Sequence, residues 1–345
     1  MNLKYLTLFS GLLGFVVVAL GAWTRLADAG LGCPDWPGCY GFVTIPVNPE
    51  DIEIANSRYP ETPYEVAKAI PEVVHRYFAA TLGLFIIGIF LAVRKNPTCT
   101  KNMKLLAGFL VFWVIMQGTF GYLTVSLKLW PQVVTTHLMS GFLTTVIIWL
   151  LYFKVKDLED PGRIPWSFNP DITRLINLSL VVVSIQIFLG AWTSTNYASI
   201  SCADLPLCRG QLLPPADFIS GFNFLQTIGP NYLGGQLSDE ARVAIHLTHR
   251  FGSIVVTLVL LSLIFSLYKN QSLKVAVGLS GALALQISLG ISNVIFSLPL
   301  LIAVGHNLGG LLLVAYTHLR AHETREDLVC GLLVEKKDIV RGVND

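Results

Sequence analysis

Eight stretches of this chain are long and apolar enough to be membrane-spanning helices, which need about 20 residues each. They cover roughly residues 5–24, 73–93, 105–126, 132–153, 174–194, 243–267, 274–296 and 300–319. Most contain no Asp, Glu, Lys or Arg. From Val275 to Gly305 there is none at all, with a break expected at Pro299. The 345 residues are 53% hydrophobic and only 13% charged, against about 25% charged in a soluble domain. Mean hydropathy is +0.61. These values exclude a cytosolic enzyme and a disordered chain. The net charge of +2 names no partner. The basic residues are scattered between apolar runs rather than gathered in a stripe, so nucleic acid is excluded as well.

The distribution of basic residues orients the spans, because cytoplasmic loops carry the excess of Lys and Arg. Eight spans place both termini on one side. That side collects Lys4, Arg94, Lys95, Lys101, Lys104, Lys154, Lys156, Arg163, Arg174, Lys269, Lys274, Arg320, Arg325, Lys336, Lys337 and Arg341. The other collects only Arg25, Arg58, Lys68, Lys128, Arg209 and Arg242. The termini are therefore expected in the cytoplasm, with the long loops 25–72 and 195–242 outside. The cysteines agree. Cys33 and Cys39 fall in the first outer loop and Cys202 and Cys208 in the second, while Cys99 and Cys330 fall inside, where thiols stay reduced. The C-x5-C spacing is wider than the C-x2–4-C of a zinc site and predicts two local disulfides, Cys33–Cys39 and Cys202–Cys208. Each is either a loop staple of about 2–3 kcal/mol or, for one pair, a redox-active bond.

The halves repeat. GAWTRLADAGLGCPDWPGCYG from Gly21 matches GAWTSTNYASISCADLPLCRG from Gly190 at an offset of 169. The same offset carries Gln117 and Gly121 onto Gln286 and Gly290, and His137 onto His306. EVVHR at 72–76 matches HLTHR at 246–250 with offset 174, so the second outer loop is five residues longer. Lys4 before the first apolar run resembles a signal peptide. The repeat pairs that run with the internal fifth span, so it is read as a true span. Each half has four spans and hence the same orientation. The expected fold is an all-α integral membrane protein of eight transmembrane helices. They form two four-helix bundles related by a pseudo-twofold axis along the membrane normal. The units are 1–160, 161–325 and a cytoplasmic tail, 326–345.

Four of the seven histidines sit at duplicated positions: His75, His137, His249 and His306. Each begins a span on the outer side, so each half offers two imidazoles from different helices at matched depth. Such a pair clamps the iron of one haem between helices. Zinc would need further ligands, and a proton relay has no need of two matched pairs near one face. An isolated histidine at a helix end would more simply meet water; two pairs in register do not fit that reading. Arg76 and Arg250 follow the first histidine of each pair and suit haem propionates as bidentate partners, with snorkelling at a helix end as the plainer role. The halves then differ. Glu72 stands three residues before His75, on the same helical face, where the second half has His246. A carboxylate serves a reacting substrate, moving protons or stabilising positive charge. The first half is therefore expected to react and the second to hold a cofactor. The plainer reading of Glu72 is a first-turn acid facing the helix dipole.

These residues resemble the haem A synthase family, membrane enzymes of cytochrome oxidase biogenesis. The likeness covers nearly the whole chain: eight spans, the duplication, TRL…GLGCPDWPGCYG at 24–41, EVVHR and the four histidines. The resemblance implies oxidation of a ring methyl of haem O by two successive hydroxylations. The geminal diol so formed loses water to leave the formyl group of haem A. It implies substrate haem between His75 and His137, haem b between His249 and His306, the essential acid at Glu72, and a redox or haem-handling role for Cys33 and Cys39. It implies as partners the farnesyltransferase that makes haem O and an unidentified electron donor, in lipid. His246 gives the sixth span a second histidine, and register with His75 favours His249 as the ligand. Residues 42–66 have no counterpart and are a candidate partner contact. No Arg- and Ser-rich leader precedes the first span, which favours a bacterial plasma membrane, with the haem sites toward its outer face. Two chemistries stay open: oxygen activation at iron, with one histidine letting go, or outer-sphere oxidation followed by attack of water. Two rival functions also remain, a di-haem b electron carrier linked to quinol and a two-repeat transporter. The transporter is disfavoured because the polar groups cluster near one face rather than at the midplane.

Overall fold

In the computed structural model every one of the eight apolar runs is a single long helix. The structure describes residues 2–159, 169–270 and 272–322. In chain order the helices are α1 (Leu3–Leu26), α2 (Pro49–Arg58), α3 (Val66–Lys95), α4 (Lys101–Ser126), α5 (Pro131–Glu159), α6 (Pro170–Thr195), α7 (Phe218–Gly221), α8 (Asp239–Lys269), α9 (Leu273–Ile295) and α10 (Leu300–His322). All but α2 and α7 are long and apolar enough to cross a bilayer, as the sequence predicts, and the protein is a multi-pass membrane protein. Side-chain caps set several starts. Asn2, Thr100, Asn169 and Ser238 each accept a hydrogen bond from a backbone N–H of the first turn.

Several boundaries move: α4 and α6 each start four residues early and α5 ends six residues late. The helices α3 and α8 start before their apolar runs, at Val66 and Asp239. A polar first turn extends α8, where Asp239 and Glu240 complement the positive end of the helix. Glu72 is consequently in the second turn of α3, whose first turn has no acid. The first-turn dipole reading of Glu72 is therefore set aside. The short helices α2 and α7 were not foreseen, because apolarity over a span-length window does not register them. Arg163, Arg325, Lys336, Lys337, Arg341, Cys330, the boundary at 160/161 and the tail 326–345 lie outside the described residues, as do the side chains of His318, Arg320 and His322.

Packing follows the repeat. In cyclic order, α1 meets α3, α3 meets α4, α4 meets α5 and α5 meets α1. In the same way α6 meets α8, α8 meets α9, α9 meets α10 and α10 meets α6. Each group has its own apolar interior, one around Ile86, Leu110 and Ile148 and the other around Leu260, Leu263 and Leu279. Between them α1 meets α10, α5 meets α6 and α5 meets α10, with Phe142, Val146 and Leu311 at the contact. Lipid-facing apolar residues gain nothing by burial in a bilayer, so helix contacts there rest on close fit and hydrogen bonds. Many large apolar side chains accordingly point outward, Leu84, Leu105 and Leu258 among them.

Candidate functional site

The four duplicated histidines meet in two pairs, each across two helices. His75 on α3 faces His137 on α5, with ring centres 6.4 Å apart and planes at 87°. His249 on α8 faces His306 on α10, at 6.5 Å and 85°. Each ring also lies against a glycine of a third helix. A Cβ on Gly21 would come 2.9 Å from Cε1 of His75, and one on Gly190 3.1 Å from Cε1 of His249. Gly121 and Gly290 stand in the same relation to His137 and His306. Behind the second ring of each pair, Gln117 donates to the His137 carbonyl at 3.3 Å and Gln286 to the His306 carbonyl at 3.1 Å.

The fit to a bound metalloporphyrin can be tested on these rings. Nδ1 of His75, His137 and His306 is buried and has no hydrogen-bond partner. An imidazole nitrogen left unpaired in an apolar interior is costly, and metal ligation would commit one nitrogen of each ring. A metal–imidazole bond of about 2 Å on each side of one atom puts the two ring centres roughly 6 Å apart, as both pairs have them. Among the described residues no three His, Cys, Asp or Glu side chains converge as a larger ligand set would require. The residues thus fit a group whose metal would be held by two imidazoles.

Around the first pair the loop between α1 and α3 is wired to α3. Glu72 is buried. Its Oε2 accepts from the Cys33 N–H at 2.9 Å and its Oε1 from Arg76 at 2.5 Å. Arg76 also donates to the carbonyls of Asp35 at 2.9 Å and Gly38 at 2.5 Å. Cys33 is disulfide-bonded to Cys39, and Cys202 to Cys208. In the second loop Arg250 donates to the carbonyls of Cys202, Asp204 and Leu207, at 2.7–2.9 Å. Both arginines therefore hold the disulfide loops against the helices. The Arg250 Nε stays buried without a partner. His246, in Glu72's place, meets the Ala198 carbonyl at 2.9 Å. The second histidine of α8 is thus brought to a backbone oxygen, and His249 to His306.

Sequence reasoning passed over several of these residues. Asp35 accepts from the N–H groups of Tyr40 and Gly41 at 2.6 and 2.7 Å, and Asp204 from those of Arg209 and Gly210 at 2.7 and 2.8 Å. These bonds support backbone turns in which Tyr40 (φ 56°) and Arg209 (φ 54°) are left-handed, with a glycine next. The shared pattern C-x-D-x-P-x-C, at 33–39 and 202–208, was the available signal. Gln186 is a second case. Its Nε2 stands 3.0 Å from Nδ1 of His249 and donates to the His249 carbonyl at 2.9 Å. It has no polar counterpart in the first half and gave no repeat signal.

Comparison with known proteins follows the same residues. The family model described as cytochrome oxidase assembly protein, COX15-CtaA, matches residues 4–318. The chain is similar to haem A synthase of Shewanella oneidensis, 40% identical over 317 residues, covering 91% of this chain and 94% of that one. It is similar to haem A synthase of Nitrosospira multiformis, 29% identical over 345 aligned positions and 90% of each chain. Haem A synthase of a Wolbachia pipientis strain is 26% identical over 307 residues, 85% of this chain and 88% of the relative.

Proposed function

From the premise that the chain belongs to the COX15-CtaA family of cytochrome oxidase assembly proteins, we propose that it is a haem A synthase, a membrane oxidoreductase that converts the ring methyl of haem O to the formyl of haem A. The observation that carries this is an asymmetry. Two imidazole pairs have the same ring spacing and the same glycine backing, and only one has a buried carboxylate beside it. His75 and His137 bind the substrate haem, and His249 and His306 bind a haem b. The haem b supplies one-electron transfer when bound.

The remaining roles belong to this chain's own residues. Glu72 lies one turn before His75 on α3. Its carboxylate accepts a proton from the reacting methyl or stabilises positive charge developing there. The Cys33 N–H and Arg76 hold that carboxylate in place. Arg76 and Arg250 would meet propionates in addition to the loop carbonyls they already hold, and the unpartnered Nε of Arg250 is a donor available for that. The disulfide loops close the outer end of each pair.

The architecture behind this is two four-helix units, 1–160 and 161–325, related by a pseudo-twofold axis along the membrane normal. Helix contacts support it. Exchanging α1, α3, α4 and α5 for α6, α8, α9 and α10 returns the same set of contacts between long helices. Residues also meet their own counterparts across the seam. Arg25 donates to the Ser194 carbonyl, and Tyr197 to Asp28 at 2.8 Å, both at the repeat offset. The basic-residue distribution supports cytoplasmic termini and haem sites toward the outer face of a bacterial plasma membrane. The farnesyltransferase that makes haem O is the natural supplier of substrate, and a separate donor supplies electrons.

The test is to co-express the protein with a source of haem O and to identify the extracted haems by chromatography and mass. Haem A is expected from the parent. Glu72→Ala is expected to retain haem and accumulate haem O or a hydroxylated intermediate. Two b-type haems and no haem A would make the protein an electron carrier, and unimpaired haem A from Glu72→Ala would remove the role given to the acid.

A further inference from the structure

The repeat puts two long loops in equivalent places, between α1 and α3 and between α6 and α8, and the two differ in what they show their surroundings. From Gly41 to Glu65 the first carries Glu50, Asp51, Glu53, Arg58, Glu61 and Glu65, all exposed except the half-buried Asp51. From Gly210 to Ser238 the second carries a single charge, Asp217. Its carboxylate caps α7, accepting from the Ser220 N–H at 3.0 Å. The same stretch turns large apolar side chains outward. Leu212, Leu213, Phe218, Ile219, Leu225 and Ile228 are each more than half exposed, Ile219 and Leu225 at 88%. Apolar side chains gathered on a surface with so little charge mark a contact face rather than a face kept in water.

The backbone of this stretch is fastened to the ends of the spans. The Asp217 N–H donates to the Glu240 carbonyl at 3.1 Å, and a Cβ on Gly221 would come 2.7 Å from the Ala241 carbonyl oxygen, both in the first turn of α8. The Trp192 indole of α6 donates to the Gly221 carbonyl at 2.9 Å, and Gln226 donates to the Asn196 side chain at 3.1 Å. At the start of α5, Gln132 and Trp130 donate to the carbonyls of Phe224 and Gln226, each at 3.1 Å. The segment therefore lies across the ends of α5, α6 and α8, at the level where these helices leave the bilayer. We infer that residues 212–228 are a membrane-surface anchor, with their outward apolar side chains about 5–10 Å into the headgroup and acyl boundary of the leaflet on that side. Lipid is the occupant that fits. It already surrounds the helix ends that hold the segment, and an apolar surface almost without charge gains by leaving water. The charged loop 42–66 stays in water. The inference rests on the eight spans and is independent of haem.

The experiment uses the full chain in phosphatidylcholine vesicles, with Cys99→Ala and Cys330→Ser so that no native free thiol remains. A nitroxide is attached in turn to Ile219→Cys and Leu225→Cys. Glu53→Cys, in the loop between α1 and α3, is the reference in water. Leu258→Cys, on the lipid-facing side of α8, is the reference in lipid. Collisions with oxygen, which partitions into lipid, are measured against collisions with a water-soluble nickel chelate. Labels at 219 and 225 are expected to favour oxygen, as the Leu258 label does, while the Glu53 label favours the chelate. Ile228→Cys gives the same reading if either substitution lowers the melting temperature and folds poorly. Labels that favour the chelate, as at Glu53, overturn the inference. Labels shielded from both reagents also overturn it, because a second copy of the chain would then cover the segment. Neither result touches the proposed function, which is read from the extracted haems.

Discussion

At Gly21 one added carbon decides whether His75 keeps its place. An alanine Cβ there would lie 2.9 Å from the ring, closer than ordinary contact, while one at Gly121 would lie 3.7 Å from the His137 ring, within ordinary range. Gly21→Ala is therefore expected to cut haem retention at the first pair by roughly tenfold or more, on the scale of a disturbed metal ligand. Gly121→Ala should leave it near the parent, and haem content after purification reads both. Glu72 permits a cleaner separation of charge from shape. Glu72→Gln keeps an oxygen for the Cys33 N–H and loses the negative charge, so the fold should persist. Haem A output should fall about 100-fold or more if the acid does general acid–base work. Output near the parent's would leave Glu72 a purely structural acceptor.

The disulfide loop is the element on which the site hangs. A short ring closed by a disulfide, an aspartate holding two N–H groups, and a helix arginine holding three carbonyls make one unit, and it is built twice. In the first half it carries an aromatic cap, with Tyr40 edge-on to Tyr59 and Tyr64. Burial, then the charges of Glu65 and Glu72, push the Tyr40 phenol up to about 12 from an ordinary value of 10.0. Below pH about 10 it is neutral folded or unfolded. As the pH rises from about 10 towards 12 the unfolded chain ionises first, so the loop loses stability with rising pH. A tyrosinate absorbance titration should show a late-ionising phase that Tyr40→Phe removes. A Tyr40 that titrates with the exposed tyrosines would mean that the cap opens freely. Arg76 is not replaceable by lysine, which lacks the planar fork reaching three carbonyls and a carboxylate together.

Across the whole molecule the two halves are joined by more than apolar contact. Arg25 donates to Ser194, lies 4.1 Å over the Tyr197 ring and pairs with Asp28 at 3.5 Å, and Tyr197 donates to Asp28. Arg25→Ala and Tyr197→Phe should each lower the melting temperature in detergent. Together they should be non-additive by about 0.5–3 kcal/mol, as for residues sharing one network. The loop between α6 and α8 also crosses to the first half. Trp130 donates to the Gln226 carbonyl, Gln132 to that of Phe224, and the Tyr232 N–H to that of Lys128. The turn before α5, which leads to His137, is thus covered by a segment from the other half. Its counterpart at Ser297 and Leu298 shares the left-handed backbone, with Ser297 exposed.

The sequence by itself determined the eight spans, the duplication, the two cysteine pairs and the four histidines. Each is a local signal: an apolar run of fixed length, a short spacing, or one residue type recurring at one offset. Tertiary structure alone decided which atoms those residues face. It gave Arg76 and Arg250 to loop carbonyls, turned His246 to Ala198, set Gln186 against His249 in the room left by Gly252, and drew the second loop over α5. Such contacts depend on how each helix is rotated about its axis against its neighbours. That rotation is fixed by close packing between distant segments, and no spacing along one chain records it.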